Sequence, residues 1–115
     1  MEGKWEVRYY VRQDGSAPID EFLRDLPPKH RTKIRQSIGR LQLFGPDLGF
    51  PDTSQIKGTQ FRELRTRFSG QQYRLLYIRD GDTFVVFVGF HKTRKRDLDE
   101  AVAEARTCLN DYRKG

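Results

Sequence analysis

The sequence predicts an α+β fold: one mostly antiparallel sheet of four to five strands, packed by two N-terminal helices and a C-terminal helix. Residues 61–92 hold three runs of strand-forming residues, punctuated by Ser69-Gly70 and by Asp80-Gly81-Asp82, the signals of tight hairpins. Residues 18–44 and 93–112 repeat apolar side chains at helical spacing instead. Strands grouped after helices point to a single sheet covered by helices.

Each element has its own signal. Lys4 to Val11 alternates polar and apolar residues, the period of a half-buried strand, until Gln13-Asp14-Gly15-Ser16 breaks it. Pro18 suits the first residue of a short helix in which Ile19, Phe22, Leu23 and Leu26 share a stripe, and Pro27-Pro28 ends it. A second helix spans about Pro28 to Phe44, with Ile34, Ile38 and Leu41 on one side and a Gly45-Pro46 stop. Pro46 to Thr53 reads as a loop, and Ser54–Lys57 as a brief strand before a turn at Gly58. The three main strands are Phe61–Arg67, Tyr73–Arg79 and Thr83–Lys92. Thr93 is expected to cap a last helix running to about Tyr112, with Leu98, Val102, Ala105, Leu109 and Tyr112 as its apolar stripe. Acids at its start and Arg113 and Lys114 at its end suit the helix dipole.

At 115 residues the chain, 1–115, is expected to form one domain with one core. The lone Cys108 excludes an internal disulfide and fits a reducing compartment. One Cys and two distant His, His30 and His91, offer no metal-site spacing, and nothing in the sequence calls for a cofactor. No run is long and apolar enough for a membrane span, and the first ten residues lack a signal peptide's apolar region, so a soluble, cytoplasmic chain is expected.

The net charge is +6, but the excess is concentrated. Residues 57–96 hold ten cations against three acids, a band suited to a polyanion. Arg65 and Arg67 share the parity of Glu63 and oppose Leu64, so with Leu64 in the core both arginines face solvent on one side, where guanidinium forks can hold phosphates. Alternation puts Arg74 on the side of Leu76 and Ile78. Either the strand begins with a bulge, or Arg74 sits at the rim and reaches into a cleft. His91 follows the apolar run of the last strand, and an imidazole's ordinary pKa of about 6.5 suits proton transfer. Phe90 beside it offers a face for an unstacked base, and Lys57, Arg67 and Arg94 are candidates for holding an RNA backbone. His30, at a helix end, is expected to be solvated. No Gly-rich phosphate loop or serine nucleophile motif is present.

Taken in order, Ile19-Asp20-Glu21-Phe22-Leu23, Leu26-Pro27, Phe44-Gly45-Pro46-Asp47-Leu48-Gly49, Ile56-Lys57-Gly58, Phe61-Arg62-Glu63-Leu64-Arg65, Tyr73-Arg74-Leu75-Leu76-Tyr77 and Gly89-Phe90-His91-Lys92-Thr93 resemble the HigB-like, phage-derived branch of the RelE/ParE toxin superfamily. The resemblance spans roughly residues 5–112. It implies a RelE-like fold and a toxin of a type II toxin–antitoxin pair that cuts mRNA in the ribosomal A site without a metal. It also implies a cognate antitoxin, usually with a helix-turn-helix domain and HigA-like, that holds the toxin inactive. By position, Arg65 and Arg74 match the basic residues that stabilise the scissile phosphate, and Phe90-His91-Lys92 matches the strand end that carries the remaining catalytic residues. His91 or Lys92 would then move protons. The chemistry implied is attack of a ribose 2′-hydroxyl on the adjacent phosphate. A gyrase-inhibiting toxin of the ParE type and a non-catalytic nucleic-acid-binding regulator are the alternatives on the same scaffold.

Overall fold

A computed structural model describes residues 5–115, so Lys4, the first residue of the expected N-terminal strand, lies outside the described residues. The elements run β1 (Glu6–Tyr9), α1 (Pro18–Arg24), α2 (Pro28–Phe44), a single 3-10 turn (Gly45–Asp47), β2 (Thr53–Gln55), β3 (Arg62–Phe68), β4 (Gln71–Asp80), β5 (Thr83–His91) and α3 (Lys95–Lys114). The five strands form one sheet in the order β1-β5-β4-β3-β2. β1 runs parallel to β5 and every other neighbour is antiparallel. This is the α+β arrangement expected, a five-stranded mixed sheet with three helices consistent with a RelE-like fold.

Both hairpins form where the sequence marks them. Ser69 and Gly70 lie at φ 53° and 76° between Phe68 and Gln71, and Gly81 at φ 65° between Asp80 and Thr83. Left-handed backbone at those positions matches the twist of the flanking strands. Most boundaries shift by one or two residues, and two of the shifts have a visible cause. Thr53 buries its side chain and donates its hydroxyl to the Leu48 carbonyl, so β2 begins there and Lys57 falls into the turn before β3. Arg94, not Thr93, is the N-cap of α3; Thr93 instead donates its own N–H and hydroxyl to the Asp97 carboxylate.

The sheet separates two apolar clusters. On one face Ile19, Leu23, Ile34, Ile38 and Leu41 of α1 and α2 pack on Leu64, Tyr73, Leu75, Tyr77, Phe84 and Val86. On the other, Ala101, Val102, Ala105, Cys108 and Leu109 of α3 pack on Phe61, Leu76, Ile78, Val85, Phe87 and Val88. β4 alternates strictly between the faces, but β5 does not. Tyr77 pairs with Val86 and Leu76 with Val88, leaving Phe87 as an extra residue that places Phe87 and Val88 both on the α3 face. Beyond this bulge the facing of every β5 side chain is reversed. Gly89 accordingly meets α1, where an added Cβ would lie 2.5 Å from the Phe22 ring and 2.7 Å from Leu75.

Candidate nucleic-acid interface

Arg65 and Arg74 face each other directly across the β3–β4 ladder, and Glu63 joins them. The Arg65 Nε donates to Glu63 Oε1 at 2.8 Å, and Arg74 Nη1 donates to the same oxygen at 2.6 Å. Ser54 on β2 and Gln72 on β4 hold the outer ends of the two forks, accepting from Arg65 Nη2 at 3.0 Å and Arg74 Nη2 at 3.1 Å. Glu63 is buried, and a buried carboxylate is tolerable only with cationic partners of this kind. Strict alternation along β4 therefore holds at Arg74, and its charge is met by Glu63 rather than by a bulge at the strand's start. Burial pulls the Arg74 guanidinium below its ordinary value; Glu63 opposes that pull, and the neighbouring Arg65 and Arg67 add to it. Among the described residues, Arg65 Nη1 and Arg74 Nε have no intramolecular acceptor, so both forks keep donors to offer a ligand.

These arginines border a groove of about 400 Å³ that wraps the free edge of β3. The edge is free because β2 pairs only with Arg62–Leu64, and beyond it Arg65 N–H donates to the Asp52 carbonyl at 2.8 Å. Across the groove α2 contributes Lys33 and Arg40, which with Arg65, Arg67 and Arg74 make five cations, against the carboxylate of Asp52 in the lining and that of Glu63 behind Arg65 and Arg74. Asp52 is already paired with Arg40. Thr66 and Ser37, hydrogen-bonded at 2.7 Å, fasten α2 to β3 in the groove's wall. Phe50, on the loop before β2, lies at the same end with the Arg65 guanidinium 5.4 Å from its ring centre.

The end of β5 is divided between the faces. Phe90 pairs with Arg74 and packs half-buried on the α3 cluster. Lys92 N–H donates to the Gln72 carbonyl at 2.8 Å, extending the ladder so that Lys92 falls on the arginine side. His91 pairs with Tyr73 on the opposite face, ring centres 5.1 Å apart. There the Tyr73 hydroxyl hydrogen-bonds His30 Nδ1 at 2.7 Å, and burial raises the phenol's pKa. His30 is thus not simply solvated as expected: the packing of α2 on the sheet brings it to Tyr73 and Phe68.

Of the expected site residues, the fold brings together Arg65, Arg67 and Arg74, with Phe90 and Lys92 on the same side, and puts His91 behind them. Arg94 stands at the N-cap of α3, engaged by Asp97 at 3.0 Å. Lys57 lies apart, in the turn beside Gln60, which receives a hydrogen bond from Arg113 near the C-terminal end of α3. Four participants went unnoticed in the sequence as site residues. Glu63 had a legible signal, its parity with Arg65. Lys33 and Arg40, seven apart on α2, share a helix side. Phe50 had only its loop context between Gly49 and Pro51.

A family model described as "Phage derived protein Gp49-like (DUF891)" matches residues 21–110. No curated protein matches the chain.

Proposed function

From the premise that this chain belongs to the phage-derived Gp49-like family, within the RelE/HigB-like superfamily of toxin-like proteins, we propose that it is a type II toxin that cleaves mRNA on the ribosome. In the proposed reaction the 2′-oxygen of one ribose attacks the adjacent phosphorus, the P–O5′ bond breaks, and the products are a 2′,3′-cyclic phosphate and a 5′-hydroxyl. A base removes the 2′ proton and an acid protonates the leaving oxygen. Arg65 and Arg74 stabilise the charge that develops on the phosphorane, a role that needs no metal ion. A HigA-like antitoxin with a helix-turn-helix domain holds the toxin inactive.

The observation that carries this proposal is the Arg65–Glu63–Arg74 cluster beside a groove that remains cationic after Asp52 and Glu63 are counted. Two pre-oriented forks side by side next to the free edge of β3 suit a phosphodiester better than a point charge would. The bulge in β5 bears on the proton movers. Lys92 shares the arginine side, whereas His91 can serve only RNA that rounds the end of the sheet.

Inducible expression in a bacterial host, followed by primer extension on an abundant transcript, tests the proposal. Wild type should give translation-dependent cuts inside the reading frame, and Arg74→Lys, which keeps a cation for Glu63 but loses the fork, should lose most of them. Growth arrest without any cut would overturn the nuclease reading in favour of another target such as gyrase.

A further inference from the structure

We propose that Phe50 and Arg65 form a subsite for one unstacked nucleobase at the mouth of the basic groove; the proposal rests on reading that groove as a site for single-stranded RNA. Exposure alone would carry little, since isolated apolar side chains are common on surfaces. Phe50 is nonetheless unusual among them. It is 79% exposed, against 52% for Val11, 51% for Leu43 and 47% for Phe44. One face of its ring carries the Arg65 guanidinium, and that guanidinium is itself fixed by Glu63 and Ser54. The ring is therefore backed by an anchored cation, and the rest of it stands open to solvent.

The loop that presents Phe50 is pinned on both sides. Thr53 N–H donates to the Gly49 carbonyl at 3.0 Å, and the Thr53 hydroxyl donates to the Leu48 carbonyl at 2.7 Å. Asp52 receives the Arg65 N–H through its carbonyl and the Arg40 guanidinium through its carboxylate. The two residues after Phe50, Pro51 and Asp52, line the groove. A rigid loop thus holds an aromatic platform next to the residues that would take the phosphates.

That geometry defines a ligand class. A base stacked on the open face of Phe50 completes a column of base, phenyl and guanidinium, while its own phosphate falls to Arg65 and Arg67. Bases inside a duplex cannot present a face, so the subsite selects single strands. Stacking tolerates any base and grows with ring area, so purines should bind more tightly than pyrimidines.

The test is equilibrium binding of a fluorescein-labelled single-stranded hexaribonucleotide to the full chain, by anisotropy across a salt series. Phe50→Ala should bind about tenfold more weakly than wild type, and Phe50→Trp should restore binding. The salt slope should not change, because no charge is lost. A strand with an abasic residue at the stacked position should bind wild type and Phe50→Ala alike. Equal affinity of the two proteins for the intact strand would overturn the subsite and leave the groove reading standing, with the ring free to serve a protein partner. An undiminished loss on every abasic strand would likewise overturn it, by marking the effect as structural. Wild type that binds no RNA at any salt would overturn both.

Discussion

Arg74 donates to Glu63 across the β3–β4 ladder at 2.6 Å, the two side chains being 14% and 4% exposed. Glu63 Oε1 also takes the Arg65 Nε, while the buried Oε2 has no hydrogen-bond partner among the described residues. One oxygen therefore collects both cations and the other is left without a donor. This asymmetry ties the forks to one point and fixes their spacing. It also makes the stability of the sheet and the shape of the anion site depend on the same carboxylate.

Removing that carboxylate should be costly. Glu63→Ala leaves Arg74 buried without its counter-charge, and a loss of about 3–5 kcal/mol is expected in urea unfolding. The double variant Glu63→Leu/Arg74→Met, which replaces the pair with apolar groups of similar size, should recover much of it. A Glu63→Ala midpoint within error of wild type would show that the pair contributes nothing.

Arg67 and Arg74 should fail differently. Arg67 is exposed, so Arg67→Ala should leave stability within about 0.5 kcal/mol while weakening RNA binding across sequences and lowering the salt slope by about one. Arg74→Ala should abolish cleavage as well as weaken binding. Identical cleavage defects in the two variants would argue that neither is placed specially.

Gly89→Ala should destabilise the strand that carries Phe90 and His91. Its Cβ would come within 2.5 Å of the Phe22 ring and 2.7 Å of Leu75, so α1 must shift or the Phe22 ring must turn. A cost of about 1–3 kcal/mol is expected in thermal or urea unfolding. The companion change Phe22→Leu should relieve part of it, and a double variant no more stable than Gly89→Ala would place the strain elsewhere.

The cap of α3 should appear in the acid limb of the stability curve. Backbone N–H groups of Thr93 and Arg94, with the Thr93 hydroxyl, hold the Asp97 carboxyl well below its usual range. A depressed carboxylate pKa contributes stability above the unfolded value of about 3.9 and loses it as pH falls through that value toward the folded one. Asp97→Asn should therefore be less stable than wild type at pH 7, and the difference should shrink as pH is lowered below about 4. A difference constant with pH would separate the cap from the carboxylate's charge.

Much of the fold could be read from local spacing. The hairpins at Ser69-Gly70 and Asp80-Gly81, the Pro18 and Pro28 helix starts and the Gly45 stop lie where the chain marks them, because each depends on the backbone preferences of a few adjacent residues. The basic band is equally visible as composition. Arg65 and Arg67 could be put on one side of β3, and Arg74 on the side of Leu76, from alternation alone.

What each charge touches was decided only in three dimensions. Continued alternation from Phe84 and Val86 would have carried His91 to the arginine side; one extra residue at Phe87 reversed it, and no residue type there announces a bulge. Glu63 became buried because β2 and β4 flank β3, and Phe50 met Arg65 because the Asp52 carbonyl receives the Arg65 N–H. His30 reached Tyr73 through the docking of α2. Periodicity encodes which way a side chain points within its own element. Strand register, bulges and helix docking are set by the packing of distant segments, and those decide which side chains share a site.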